Sequence, residues 1–282
     1  MNNEAPTALI LGGTGRTGSL LADQLAQRGI TPRTAARSGA DVRFDWDDPA
    51  THADAVAGVD RLYLVTPTLR VSYAGQVAAF LDLAEAAGVR HVTYLSVYNA
   101  DQAPAGIDIA AVEAGLASRH GITHSVLRPA WVMQNFADDH LPVIDGVITA
   151  PSAGGREAFV DAADIAAAAA ETLLAPETHA GATYSLTGPQ ALTFQDIADT
   201  IAFVSGRPVT YSDIDQEAWI NGALAAGVPA DFAVMMRWLT GAIVAGNGAT
   251  PTGDIEKVTG RPATTFREFA ERTAHAWTSE AK

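Results

Sequence analysis

The residues of this 282-residue chain best suited to chemistry on a phosphate ester begin at Gly12. Gly12, Gly15 and Gly18 form a G-x-x-G-x-x-G run within Gly12-Gly13-Thr14-Gly15-Arg16-Thr17-Gly18. Gly12 and Gly13 permit a tight turn, and Gly15 lets backbone N–H groups approach a pyrophosphate with no side chain in the way. Gly18 allows a following helix to pack close to the preceding strand. That helix's N-terminus offers N–H groups and partial positive charge to the phosphates. Thr14, Arg16 and Thr17 complete the loop. About 20 residues further on, an NAD site places an acid against the ribose hydroxyls, but this chain has Arg37-Ser38. A cation and a hydroxyl suit a 2′-phosphate, and Asp41, the nearest acid, comes too late. NADP(H) is therefore expected over NAD(H), with Arg16 flanking the same phosphate.

These residues need a strand–turn–helix frame, and the hydrophobic pattern provides one. Ala8 to Leu11 reads as a buried strand, with Leu20, Leu21 and Leu25 on one side of a helix that stops at Gly29. Further strands are expected at Val42–Phe44, Arg61–Val65, His91–Tyr98 and Thr123–Leu127, with intervening helices stopping at Gly58, Gly88 and Gly121. Asp48 before Pro49 looks like a helix cap. Such alternation gives an α/β fold with a doubly wound parallel Rossmann sheet. Ligands of these sheets lie outside the carboxyl ends of the strands, which puts Asp45 near an adenine and the Thr66-Pro67 backbone beside the cofactor. The second half is less regular. It offers a short strand or hairpin at Gly146–Pro151, a helix capped by Asp161 or Asp164, a strand at Thr183–Leu186 and a helix with Thr193 as N-cap. The expected division is 1–135 with 156–188 as the Rossmann domain, and 136–155 with 189–282 as a smaller, mostly helical substrate-side part.

Composition narrows the partners. A net charge of −14 argues against nucleic acid and anionic membranes. There is no cysteine, so disulfides and thiolate metal sites are excluded, and seven scattered histidines make a metal site improbable. The N-terminus lacks the basic and apolar regions of a signal peptide, and no apolar run approaches the roughly 20 residues of a membrane span. A cytoplasmic protein is expected, as monomer or homodimer. Only two lysines occur, Lys257 and Lys282.

Gly12-Gly13-Thr14-Gly15-Arg16-Thr17-Gly18, Phe44-Asp45-Trp46, Leu127-Arg128-Pro129, Met133-Gln134-Asn135-Phe136 and Phe159-Val160-Asp161-Ala162-Ala163-Asp164-Ile165 occur in an order and spacing similar to NmrA-like proteins. These are atypical short-chain dehydrogenases/reductases. The resemblance covers nearly the whole chain, and Phe-Asp-Trp with the C-terminal part looks most like the festuclavine-dehydrogenase-type branch. It implies an NAD(P)H-binding Rossmann domain, a smaller helical part and a substrate cleft between them. It also implies that Gly12, Gly15 and Gly18 hold the pyrophosphate, Arg37 the adenosine phosphate and Asp45 the adenine side, with Ser96 near the nicotinamide. Enzymes of the group reduce quinones, iminium groups, activated alkenes or dye-like cations, and other members bind dinucleotides as regulators.

The chain departs from the superfamily at its Tyr–Lys acid. Tyr98 is followed at i+4 by Gln102, no lysine precedes Lys257, and Ala110 takes the place of the helix lysine found in many relatives. Hydride transfer to an iminium, a quinone or a conjugated C=C/C=O needs no strong protein acid, because orientation supplies most of the acceleration. Tyr98 and Ser96 are the catalytic candidates, with Asp108 and Gln134 as further polar groups. Trp131, Met133, Gln134, Phe136, Trp219 and Met235 are candidates for the wall of a pocket for an aromatic or conjugated small molecule, in company with Met236 and Trp238. Two other readings follow from the missing pair: a dinucleotide-sensing regulatory protein without turnover, and an isomerase with bound NADP.

Overall fold

The computed structural model describes residues 5–138 and 140–278. Met1–Glu4, which enter the reading of the N-terminus, and Lys282 lie outside the described residues. In chain order the first elements are β1 (Thr7–Leu11), α1 (Arg16–Ala26), β2 (Thr31–Ala36), β3 (Val42–Arg43), α2 (His52–Val56) and β4 (Arg61–Leu64). Next come α3 (Ala74–Ala87), β5 (His91–Leu95), α4 (Ile109–Ala117), β6 (Thr123–Pro129), β7 (Val143–Ile144), β8 (Val147–Ala150) and β9 (Arg156–Glu157). The chain continues through α5 (Ala162–Leu174), α6 (Pro176–His179), β10 (Thr183–Leu186), β11 (Leu192–Thr193), α7 (Phe194–Ser205) and β12 (Thr210–Asp213). It closes with α8 (Gln216–Ala225), α9 (Ala233–Val244), α10 (Asp254–Thr259), α11 (Phe266–Thr273) and α12 (His275–Thr278).

The chain forms two compact units, Met1–Arg128 with Ile165–Ser185, and Pro129–Asp164 with Leu186–Lys282. In the first, seven strands are ordered β10-β6-β5-β4-β1-β2-β3, and β1 to β6 pair in parallel. This is the doubly wound α/β sheet, with its order reversing between β4 and β1. Ala8 to Leu11 are all buried, which explains an uninterrupted apolar run in a strand covered on both faces. The helix α3 buries Val77, Phe80, Leu81 and Ala84 at helical spacing and ends on Gly88, whose φ of 104° is left-handed. Leu20, expected on the buried side of α1, is exposed; Gly18, Leu21 and Leu25 make that face. Asp48 is no side-chain cap either, and pairs instead with Arg43 at 3.2 Å.

A buried polar cluster ties the edge of this sheet together. His91 Nδ1 lies 2.9 Å from Thr123 Oγ1, and the Ser125 hydroxyl donates to the His179 carbonyl at 2.8 Å. Burial pushes the His91 imidazole down to about 4, and Arg61, His124 and His179 act in the same direction. The folded chain therefore holds His91 neutral while the unfolded chain takes up a proton below the ordinary histidine pKa of about 6.5. Stability should be fully present above that pH and fall as pH drops toward 4, with His91 contributing a loss of about 3 kcal/mol. Urea midpoints at neutral and mildly acidic pH measure it, and His91→Gln should flatten the dependence.

The second unit has its own core. The β7–β8 hairpin turns at Asp145-Gly146, both at positive φ, and β12 joins β8 in parallel. Phe136, Phe159, Phe194 and Phe266 pack edge to face with centroids 5.2 to 5.7 Å apart. Thr193 and Asp196 form a capping box on α7. The breaks at 128/129, 164/165 and 185/186 differ from the expected 135/136, 155/156 and 188/189. Residues 156–164 join this unit because β9 pairs with β11 and Phe159 enters the aromatic core.

Asp161 fastens several of these segments. Its Oδ1 accepts from Gln134 Nε2 at 2.7 Å and from Ala163 N at 2.9 Å, while Oδ2 takes the Arg272 guanidinium. Asp161 is fully buried. Asp161→Ala removes a helix cap and leaves buried donors unmatched, and should cost about 3 kcal/mol, read as a lower thermal midpoint. Asp161→Asn, which keeps the cap, should cost less.

Candidate dinucleotide-binding site

The glycine run forms the turn from β1 into α1. Gly12 has φ 66°, a left-handed conformation that excludes most side chains. Its carbonyl accepts from Gly15 N at 2.8 Å, and Gly13 N donates to Ala35 O at 3.1 Å, tying the loop to β2. A Cβ on Gly18 would sit 2.2 Å from the Gly12 carbonyl oxygen, and one on Gly15 would sit 3.1 Å from it. Gly15 is the N-cap of α1, and no side chain caps that helix. The bare cradle fits a diphosphate.

Beyond this loop lies a cleft of about 350 Å³ lined by the residues that follow β1, β2, β3 and β4. Of the expected cofactor residues, Gly12, Thr14, Gly15, Arg37, Ser38, Asp45, Thr66 and Pro67 line it together. Arg16, Thr17, Gly18 and Ser96 are not among its lining residues. Gly18 serves instead at the close approach of α1 to Gly12, and Thr17 Oγ1 accepts from the Tyr63 phenol at 3.1 Å. Asp41, the nearest acid after β2, accepts from both the N–H and the hydroxyl of Thr34, at 2.8 and 2.7 Å. Those bonds hold its carboxyl below the usual range.

Trp46, Asp47 and Arg70 also line the cleft, and none of them is among the cofactor residues expected from sequence. Trp46 Nε1 donates to Val65 O at 3.2 Å, and its ring packs edge-on to Phe44 at 5.0 Å and Phe80 at 5.3 Å. Phe-Asp-Trp therefore joins the ends of β3 and β4 and presents Asp45. The Asp45 backbone is held by Thr51 and by His52, whose Nε2 lies 2.9 Å from its carbonyl.

At the carboxyl ends of β5 and β6 the polar groups are already linked. The Ser96 hydroxyl donates to Glu113 Oε1 at 2.5 Å, and Arg128 grips the same carboxylate with Nε at 3.0 Å and Nη2 at 2.6 Å. Glu113 lies one helical turn beyond Ala110, a spacing that could have flagged it. Tyr98 is half-buried in the turn after β5. Asp108 Oδ2 accepts from Tyr73 N at 2.6 Å and Ala74 N at 2.7 Å and so caps α3. Burial raises the Tyr73 and Tyr94 phenols, and Thr66 acts on both in the opposite direction.

Within the second unit the expected pocket residues separate. Trp131 and Trp219 are half-buried against the aromatic core. Met133 and Phe136 lie inside that core at 1% exposure, and Met235 is buried too. Gln134 donates to Asp161 and accepts from Ala162 N at 3.0 Å, so both ends of its amide hold backbone and core. Among the described residues no group could hold a metal ion, and no helix is long and apolar enough to cross a membrane.

Sheet, glycine cradle and cleft define a dinucleotide-binding protein of the Rossmann class. The chain belongs to the NmrA-like family, whose model matches residues 4–273, and stands in it among NAD(P)H-dependent reductases. It is 34% identical to the uncharacterized oxidoreductase YesF of Bacillus subtilis over 96% of both chains. It is 29% identical to festuclavine dehydrogenase of Aspergillus fumigatus, covering 96% of this chain and 99% of that one. Among solved structures it is similar to the NADPH-dependent quinone oxidoreductase of Escherichia coli in complex with NADPH. That match has a TM-score of 0.73 and 27% identity, and covers 94% of this chain and 99% of the other.

Proposed function

We propose that the chain transfers hydride from NADPH, in preference to NADH, to an electrophilic small molecule: a quinone, an iminium or a conjugated C=C/C=O. The observation that carries the preference is the placement of Arg37 and Ser38 in one cleft with Gly12, Thr14 and Gly15, while Asp41 is engaged by Thr34. Gly12, Thr14 and Gly15 would hold the pyrophosphate, Arg37 and Ser38 the 2′-phosphate, Asp45 the adenine and Ser96 the nicotinamide end. The bound nucleotide supplies the hydride.

Everything else falls to the chain's own groups. Glu113 and Arg128 fix the Ser96 hydroxyl as a donor toward Glu113, leaving its oxygen to accept from a carboxamide N–H. Within the second unit, Trp131 and Trp219 are the half-buried aromatics left as candidates to meet a planar substrate, since Met133 and Phe136 lie in its core. No Tyr–Lys acid exists, so an already electrophilic substrate is required, with Tyr98 as the hydroxyl for any proton. Tyr98→Phe should lower kcat on an enone by about a hundredfold at unchanged NADPH affinity; equal rates would return Tyr98 to a packing role. The reading is tested by comparing kcat/KM for NADPH and NADH on quinones, cyclic imines and enones. A clear advantage for NADPH is expected, and equal values would remove the assignment of Arg37.

A further inference from the structure

Four charged side chains line the cleft: Arg37, Asp45, Asp47 and Arg70. Arg70 Nη2 lies 2.5 Å from Asp47 Oδ2, and both side chains remain partly exposed. The Asp47 carboxyl is held below its usual range first by this bond to Arg70, and Arg37 acts on it in the same direction. Asp47 thus pairs with Arg70 inside a cleft that Arg37 also lines. Thr68 and Arg70 line the cleft while Leu69 between them is exposed, in a left-handed conformation at φ 56°. The loop after β4 therefore reverses at Leu69 and keeps Arg70 on the side of the ligand.

We propose that Arg70 is a second ligand for the adenosine 2′-phosphate, and that Asp47 competes with the nucleotide for its guanidinium. This rests on reading the cleft as an NADPH site. An exposed ion pair holds weakly and is readily exchanged. A phosphate monoester carries more charge than a carboxylate and takes a planar guanidinium with two parallel hydrogen bonds. Arg37 and Arg70 would then close on the phosphate from the ends of β2 and β4, and Asp47 would be released. Asp47 acts as a brake on NADPH affinity, because with no phosphate present it satisfies Arg70 and draws on Arg37.

The test is equilibrium binding of 2′,5′-ADP and 5′-AMP, which differ only in the 2′-phosphate, to the full chain and its variants. Arg70→Gln should weaken 2′,5′-ADP about tenfold and leave 5′-AMP within about twofold. Arg70→Lys should fall between. Asp47→Asn should tighten 2′,5′-ADP severalfold without changing 5′-AMP. Equal effects of Arg70→Gln on both nucleotides, or Asp47→Asn leaving 2′,5′-ADP unchanged or weaker, would overturn the proposal. Arg37→Glu separates the two levels. If it abolishes discrimination and Arg70→Gln does not, only this inference fails; if neither touches discrimination, the NADPH reading fails with it.

Discussion

Arg37→Glu is expected to weaken NADPH binding by about a hundredfold while changing NADH by less than about threefold. The substitution removes a charge-assisted hydrogen bond to the 2′-phosphate, worth about 1.5–3 kcal/mol, and replaces it with like-charge repulsion. Arg37 is exposed at the cleft rim, so solvent screens part of the effect and the lower half of that range applies to the lost bond. Repulsion by the new carboxylate supplies the rest. NADH has a hydroxyl at this place, which a glutamate accepts from, so its affinity should hold or rise. Titration of both nucleotides against intrinsic tryptophan fluorescence reads the result, since Trp46 lines the same cleft. Equal losses for the two nucleotides would contradict the phosphate assignment.

Gly18→Ala is expected to abolish binding of both nucleotides and to destabilise the fold by about 3 kcal/mol. The added methyl carbon would stand 2.2 Å from the Gly12 carbonyl oxygen and 2.9 Å from Gly13 Cα, and all of these are backbone positions with no side chain to swing aside. The helix α1 would have to lift from the end of β1, taking its N-terminus away from the phosphate loop. Gly75 provides the contrast. It lies in the first turn of α3 with nothing near its absent side chain, so Gly75→Ala should be neutral or stabilising by up to about 1 kcal/mol. Thermal midpoints and nucleotide titrations of the pair decide the matter. Comparable behaviour of the two variants would mean that the close approach at Gly18 is not what the loop requires.

The parts of the site that were legible in the sequence are the local ones. Gly12 to Gly18 are contiguous, and their turn is dictated by backbone conformation and the adjoining strand and helix patterns. Arg37, Ser38, Asp45, Thr66 and Pro67 follow strands whose carboxyl ends a doubly wound sheet gathers at one edge, so fold class alone brings them together. What escaped was set by contacts between residues far apart in sequence. Asp47 meets Arg70 across 23 positions and Asp108 caps α3 from 35 positions beyond Tyr73. Glu113 on α4 meets Ser96 after β5 across 17 positions. Met133 and Phe136 resembled pocket residues because large apolar side chains in a loop fit either a ligand wall or a core. The mutual packing of Phe136, Phe159, Phe194 and Phe266 assigns them to the core, and no periodicity within 133–136 could have shown it. The unit boundary near 156–164 was hidden for a related reason, since a two-residue strand such as β9 carries no pattern of its own.

The most direct test of the proposed chemistry mixes the protein with NADPH and a quinone, a cyclic imine or an enone in the absence of oxygen. Nucleotide oxidation and reduced product are followed together. One product formed per NADPH consumed, on at least one of the three electrophiles and faster than with NADH, is the expected result. Tight binding of NADPH with no consumption on any of them would contradict hydride transfer and make the chain a dinucleotide sensor.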